Sequence, residues 1–357
     1  MGGRFFPPDQ FLSLEAAPAS VSAIPSPDKM ASIFLKRFRP VVHYAGATQI
    51  GKVFPALDRP PRHCRVFQIK PVRLIFGQRG MLKASMRVRF WGVRGSIPCP
   101  GPSTIRYGGN TPCIEVRCGD HLLIFDAGTG LRSLGIELLK DTSIRSVDIF
   151  ITHCHLDHVS GLPFFTPFFR KDFRVRVWAG NLKPSNSIER VMRSLMSSPW
   201  FPVPMDVFKA KIEFQDFKSG DVLRPHDDVT LRTTLLDHPD GTNGYRLEYG
   251  GRVFALLCDT EGFPGKRDSE MVELARHADL ALYDSTFTES EIVSKAGWGH
   301  STWMRGVRLA NEAEVKHLCL FHHDPSHDDD FMDKLAAEAT DVRAGTIVAR
   351  EGQIIDL

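Results

Sequence analysis

Within the run Thr152-His153-Cys154-His155-Leu156-Asp157-His158 the chain packs three imidazoles and a carboxylate into six residues. Nothing else in the sequence constrains the fold as strongly. Four such groups are too many for one compact ion, so the run reads as serving two metal sites side by side. Imidazole and carboxylate are borderline-to-hard donors, suited to Zn²⁺, Mn²⁺ or Fe. The run follows the apolar residues Val147, Ile149, Phe150 and Ile151 and precedes Gly161, which places it on a loop at the end of a strand. Uncompensated ligands are costly to assemble, and a His-rich polar loop arising by chance is a poor alternative.

The surrounding texture is that of an α/β protein. Short β-rich runs occur at 87–91, 113–116, 122–125, 147–151 and 175–178, and again at 229–236, 245–249, 253–257, 280–283, 318–321 and 346–348. Helical patterns lie between them. The clearest is the stripe Ile188, Val191, Met192, Leu195 and Met196 behind a Ser187 cap; others cover 268–278, 301–313 and 328–339. Residues 1–85 read differently, with Pro7-Pro8 and Pro60-Pro61 breaking short apolar runs. They are expected to be a disordered or non-native extension ahead of a domain at 86–357.

Charge separates the same two parts. The extension carries 13 Lys/Arg against 4 Asp/Glu, whereas the remainder carries 32 against 38. A mildly acidic body disfavours a long nucleic acid as the main partner, though a local basic patch could survive that average. No apolar stretch approaches the roughly 18–20 residues of a membrane span, the start makes a poor secretory signal, and seven scattered cysteines do not suggest a disulfide framework. A cytoplasmic location with no membrane partner is the expectation.

The His-x-His-x-Asp-His run resembles the signature of the metallo-β-lactamase superfamily, and further motifs follow in the order that family shows. Asp126-Ala127-Gly128 resembles its Asp-x-Gly turn. Asp237-His238-Pro239 and Cys258-Asp259-Thr260 resemble the next ligand sites of the RNase Z and phosphodiesterase branch. Gly299-His300-Ser301-Thr302 resembles that branch's His-Ser-Thr motif, and Phe321-His322 its final strand-end histidine. The resemblance covers about residues 87–357 and implies a four-layer αββα sandwich. It implies two divalent ions, zinc first with Mn or Fe as alternatives. One would sit on His153, His155 and His238, the other on Asp157, His158 and His322, with Asp259 bridging. Asp157 would also orient the nucleophile, a hydroxide shared by the ions, and His300 would act as general acid. Asp126 is a candidate to fix an imidazole tautomer. His323 and His327 are expected to be bystanders, and Cys154 to point away from the ligands.

Plainer readings stay open for several of these. His300 could simply precede a helix capped by Ser301 or Thr302. Arg94 and Asn110, in the stretches Phe90 to Pro98 and Tyr107 to Thr111, are candidates to bind an anionic substrate or to shape a tight turn. The segment 197–208, with Trp200, Phe201 and Phe208, could be a lid or core packing. The favoured function is a phosphodiesterase acting on a small cyclic or linear phosphodiester. The alternatives are an RNase Z-like endonuclease, a lactone or thioester hydrolase, and a non-catalytic sensor domain. Oligomeric state is left open.

Overall fold

A computed structural model describes residues 73–75 and 85–357, apart from Lys183 and residues 263–265. All of these belong to the second of two units into which the chain divides, Val66–Leu357. The expectation for residues 1–85 falls almost wholly outside the described residues. Within that stretch Arg73–Ile75 forms a short strand, β1, paired parallel to the carboxy-terminal strand.

Two mixed sheets carry the fold. In the first, β1, Met86–Gly92 (β2), Cys113–Cys118 (β3), His121–Phe125 (β4), Ser146–Ile151 (β5), Arg174–Gly180 (β6), Lys211–Phe217 (β7) and Ile354–Asp356 (β15) lie in the order β1-β15-β2-β3-β4-β5-β6-β7. In the second, Val222–His226 (β8), Val229–Leu236 (β9), Thr242–Tyr249 (β10), Arg252–Leu257 (β11), Leu280–Asp284 (β12), His317–Phe321 (β13) and Ile347–Val348 (β14) run β14-β13-β12-β11-β10-β9-β8. Each sheet passes from antiparallel hairpins to parallel strands: β4, β5, β6 and β7 are parallel in one, and β11, β12, β13 and β14 in the other.

Strand periodicity divides the side chains between three cores. Along β11, Phe254 and Leu256 enter the core between the sheets, whereas Ala255 and Leu257 enter the core under a helical layer. On β4, Leu123 and Phe125 face the other sheet while Leu122 and Ile124 face the opposite helices. Strands apolar on both faces are what a sheet covered on both sides requires. The helices Gly130–Leu138 (α1) and Ile188–Leu195 (α3) pack beside the first sheet, with the one-turn helix Leu156–Val159 (α2) between them in the chain. Lys266–Ala275 (α4), Trp303–Glu312 (α5) and Asp329–Val342 (α6) pack beside the second. The result is the expected αββα sandwich.

The expected helices form, and three of them are capped by side chains. Ser187 accepts from the Arg190 N–H at the start of α3, Thr302 from Arg305 at α5, and Asp328 from Phe331 at α6. Segment 197–208 contributes mostly to packing: Phe208 stacks on Phe168 at 4.6 Å and Phe201 meets Phe164 edge-on at 5.7 Å, leaving Trp200 exposed. Among the described residues no helix is long and apolar enough to cross a membrane, and all six described cysteines are free thiols.

Candidate metal centre

The candidate residues come from strand ends. Asp126 follows β4, the 152–158 loop follows β5, and Asp259, Asp284 and His322 stand at the ends of β11, β12 and β13. The carboxyl ends of parallel strands are where such sheets leave room for a ligand. His238 comes from the turn between β9 and β10. Asp126, Asp259 and His322 have φ of +62°, +55° and +63°. That left-handed conformation costs about 1–3 kcal/mol at a residue with a side chain and collects at functional sites. Here it reverses the chain directly behind each strand and turns the side chain inward.

Two groups of donors result, each with its atoms within 4.8 Å of one another: His153, His155 and His238, and Asp157, His158, Asp259 and His322. Asp259 reaches both. Its Oδ2 lies 3.8 Å from Nε2 of His153 and of His238 and 3.3 Å from Nε2 of His158, while its Oδ1 lies 3.4 Å from Nε2 of His322. Asp157 Oδ2 stands 3.3 Å from His158 Nε2 and 3.4 Å from His322 Nε2, and accepts the Ser96 N–H at 2.8 Å.

The far side of three rings is held. His158 Nδ1 lies 2.9 Å from Asp126 Oδ2, and the other oxygen of that buried carboxylate accepts from the Thr152 N–H and hydroxyl. His238 Nδ1 donates to the Gly299 carbonyl at 2.7 Å, and His322 Nδ1 meets the Thr286 hydroxyl at 3.0 Å. In His158 and His322 these partners leave Nε2 as the free donor atom, and in His238 they turn Nε2 towards His155 Nδ1 at 3.1 Å. Gly95 completes the wall: a Cβ there would stand 2.3 Å from the His322 ring.

The donor set fits divalent cations on two counts. The Nε2 atoms of His153, His158 and His322 are buried without a hydrogen-bond partner, a state that is expensive unless something positive is bound. Buried negative charge makes the same demand. Burial opposes ionisation of Asp157, yet His158 and His322 hold its carboxyl below the usual range; His322 and His158 do the same for Asp259 against its own burial. His158 is desolvated, which disfavours its charge, but Asp157, Asp259 and Asp126 drive it towards protonation. A divalent cation answers those carboxylates as a proton would, with more charge.

His300 stands beside this centre, in a group with His238 and Asp259. Its Nδ1 lies 2.9 Å from Asp284 Oδ2. Burial disfavours its charged form, but the Asp284 carboxylate outweighs this and raises its pKa to about 9. Asp284 is fully buried and also accepts the N–H groups of Thr260, Thr286 and Ser301. Sequence reasoning passed over Asp284; its one signal was an aspartate closing the apolar run Leu280 to Tyr283. Thr302, not Ser301, caps α5, so His300 precedes a capped helix and also faces the centre.

Other candidates lie apart from the donor groups. Arg94 is fully buried: Nε donates to the Gly108 carbonyl at 2.8 Å, and Nη1 to those of Asp324 and His327 at 3.1 and 2.6 Å. Asn110 donates to Glu351 and accepts from the Thr129 hydroxyl. Both therefore tie loops together. His323 spends Nε2 on the Ala349 carbonyl, His327 meets Glu291, and Cys154 packs into the core beside α1 and α3.

Comparison with known proteins adds the family. The profile described as "Beta-lactamase superfamily domain" matches residues 121–323. A protein of Enterococcus faecalis named Ribonuclease Z is 25% identical over 287 residues, 66% of this chain and 87% of its own length. The metallo-β-lactamase fold protein YhfI from Bacillus subtilis superposes with a TM-score of 0.59 at 19% identity, over 77% of this chain and all of its own. A diphosphatase described as belonging to the PhnP family gives 0.57 at 18% identity, over 75% of this chain and 96% of that one.

Proposed function

The chain belongs to the beta-lactamase superfamily, on its RNase Z-like side, and from that premise we propose that it is a metal-dependent phosphodiesterase acting on a small cyclic or linear phosphodiester. The observation that carries the reading is the His300–Asp284 pair beside two donor groups that share Asp259. In the proposal His153, His155 and His238 hold one divalent ion, Asp157, His158 and His322 the other, and Asp259 serves both. Zinc suits this mixture of imidazole and carboxylate, with Mn or Fe as alternatives. Ions so placed lower the pKa of water and offset charge on phosphoryl oxygens.

The protein's own groups do the rest. Asp157 orients the attacking water, with the Ser96 N–H holding its carboxylate in place. His300, kept protonated by Asp284, gives its Nε2 proton to the oxygen that leaves as the P–O bond breaks, a contribution typically worth 10²–10⁴-fold. An alkoxide leaving group benefits most from that proton, which favours phosphodiesters over lactones. An RNase Z-like endonuclease is the second reading, favoured by the name and near-full-length match of the Enterococcus faecalis relative.

Turnover of bis(p-nitrophenyl) phosphate beside a simple lactone, by metal-reconstituted wild type, Asp259→Ala and His300→Ala, tests the proposal. Phosphodiester cleavage should vanish in Asp259→Ala and fall in His300→Ala, less steeply than with an alkyl ester because p-nitrophenolate leaves easily. Turnover of the lactone alone would remove the phosphodiester assignment.

A further inference from the structure

Glu261 is a buried acid with no part in the chemistry described so far, two residues beyond Asp259 in the turn that follows β11. Its carboxylate is taken up by main chain. Oε1 accepts the Gly297 N–H at 2.9 Å, and Oε2 accepts those of Gly297 and Gly299 at 3.0 and 3.1 Å. Its own N–H donates to the Asp237 carbonyl at 2.8 Å, and its carbonyl accepts from Arg305 Nη1 at 2.6 Å. One residue thus joins the ends of β9 and β11 to the first turn of α5 and to the loop that leads into it. Buried N–H groups need acceptors, and a carboxylate that supplies them is ordinarily a loop tie and nothing more. The place of this tie sets it apart. Gly299 has φ of +81°, and a Cβ there would stand 2.3 Å from His238 Nδ1. With no side chain in the way, the Gly299 carbonyl takes the His238 Nδ1 proton at 2.7 Å. The next residue is His300, whose ring centroid lies 5.2 Å from that of His238.

We propose that Glu261 is a positioning residue that sets the His238 imidazole and the His300 proton donor together, through the Gly299 main chain between them, a role that rests on the phosphodiesterase reading and deepens it. Asp284 holds the His300 ring from its Nδ1 side. Glu261 fixes the backbone from which that ring projects, and the same carboxylate fixes the carbonyl behind His238. Placement matters for both. Losing the partner behind a ligating imidazole weakens metal binding by roughly 10–100-fold. Moving a reacting group by about 1 Å can cost about 10²-fold in rate. A residue that touches neither ion nor substrate therefore governs one ligand and the proton donor at once.

Glu261→Ala removes both acceptor oxygens, and Glu261→Gln keeps one. Their rates at saturating zinc are compared on ethylene phosphate, whose leaving group is an alkoxide, and on bis(p-nitrophenyl) phosphate, whose leaving group needs little help from a proton. Glu261→Ala should lose about 10²-fold in kcat on the first and less than about tenfold on the second. Glu261→Gln should fall between wild type and Glu261→Ala on ethylene phosphate. In a His300→Ala background, Glu261→Ala should slow both diesters alike, to within about twofold. Equal losses on both diesters while His300 is present, or a difference that persists without His300, overturns the role. If Glu261→Ala does not fold, Glu261→Gln carries the same comparison. Competition with a zinc chelator, read without substrate, is the second arm: Glu261→Ala should hold one of two ions about tenfold more weakly. Unchanged zinc affinity overturns the shared placement. Wild type that turns over neither diester sinks the phosphodiesterase reading, and the zinc arm then decides by itself whether Glu261 positions His238.

Discussion

His300 can give up a proton only while it holds one, and what keeps it charged is the buried carboxylate beside its Nδ1. Asp284 is fully buried and meets His300 Nδ1 at 2.9 Å. Because the folded protein raises the His300 pKa to about 9, the donor form is complete below that pH and drains away as pH rises through it. With an alkyl phosphodiester, the rate should therefore fall on the alkaline side. Asp284→Asn presents an amide in place of the charge, disfavours the imidazolium, and should move that fall to lower pH with little loss at the acidic end. A pH–rate profile of both proteins measures this; an unmoved alkaline limb would show that His300 is not the group titrating. Asp284 was the part of the site least legible beforehand. It belongs to no short motif, and only parallel pairing of β12 between β11 and β13 sets it beside His300 and His322.

Among the elements, the loop leaving β2 depends on an unusual tie. Arg94 lies wholly inside the protein, and three of its N–H···O contacts end on main-chain carbonyls at positions 108, 324 and 327. It joins the 107–111 turn and the approach to α6 to the loop that carries Gly95 against His322 and Ser96 against Asp157. Arg94→Ala would leave buried carbonyls without donors, at roughly 1–3 kcal/mol for each unmet group. Unfolding free energy in urea should drop by about 3 kcal/mol or more; a change within about 0.5 kcal/mol, the scatter of an ordinary surface substitution, would mean the tie carries little. The regular elements were readable wherever a period was clean, as in α3 with Ile188 and Met192 buried behind Ser187. Several elements were not read, among them α1, β7, β8 and β15. Gly130 and Gly135 weaken the helical pattern of α1, although Gly135 is needed because a Cβ would meet Phe165 at 2.9 Å. β7 is an edge strand with five of seven residues half-buried, so its alternation is blurred.

For the molecule as a whole, the proposed metals should be a folding term as well as a catalytic one. Apo protein gathers Asp157, Asp259 and Asp126 around His158 with several imidazole nitrogens unpartnered. Ions that bind only the folded state stabilise it by about 2.7 kcal/mol per site at a hundredfold excess over Kd. Chelator-treated protein should melt several degrees lower than zinc-loaded protein, and Asp259→Asn should lose most of the response because one carboxylate serves both groups. Equal melting temperatures with and without zinc would remove the metal assignment.

The sequence by itself determined the ligand types, their strand-end placement and the layered α/β architecture. Strands, helices and the 152–158 donors follow from local pattern (apolar alternation, caps, and four donors within six residues), whereas the remaining ligands and the layered sandwich followed from the resemblance of the motifs to the metallo-β-lactamase superfamily. Tertiary structure decided what depends on distance across the sandwich. It brought Asp259 within 3.8 Å of His153 and His238 and within 3.4 Å of His158 and His322, paired Asp284 with His300, and withdrew Arg94 into the interior. No local pattern reports such contacts, because they arise only when residues far apart in the chain are carried together by the pairing of β4, β5, β11, β12 and β13 within their sheets and by the packing of those sheets face to face.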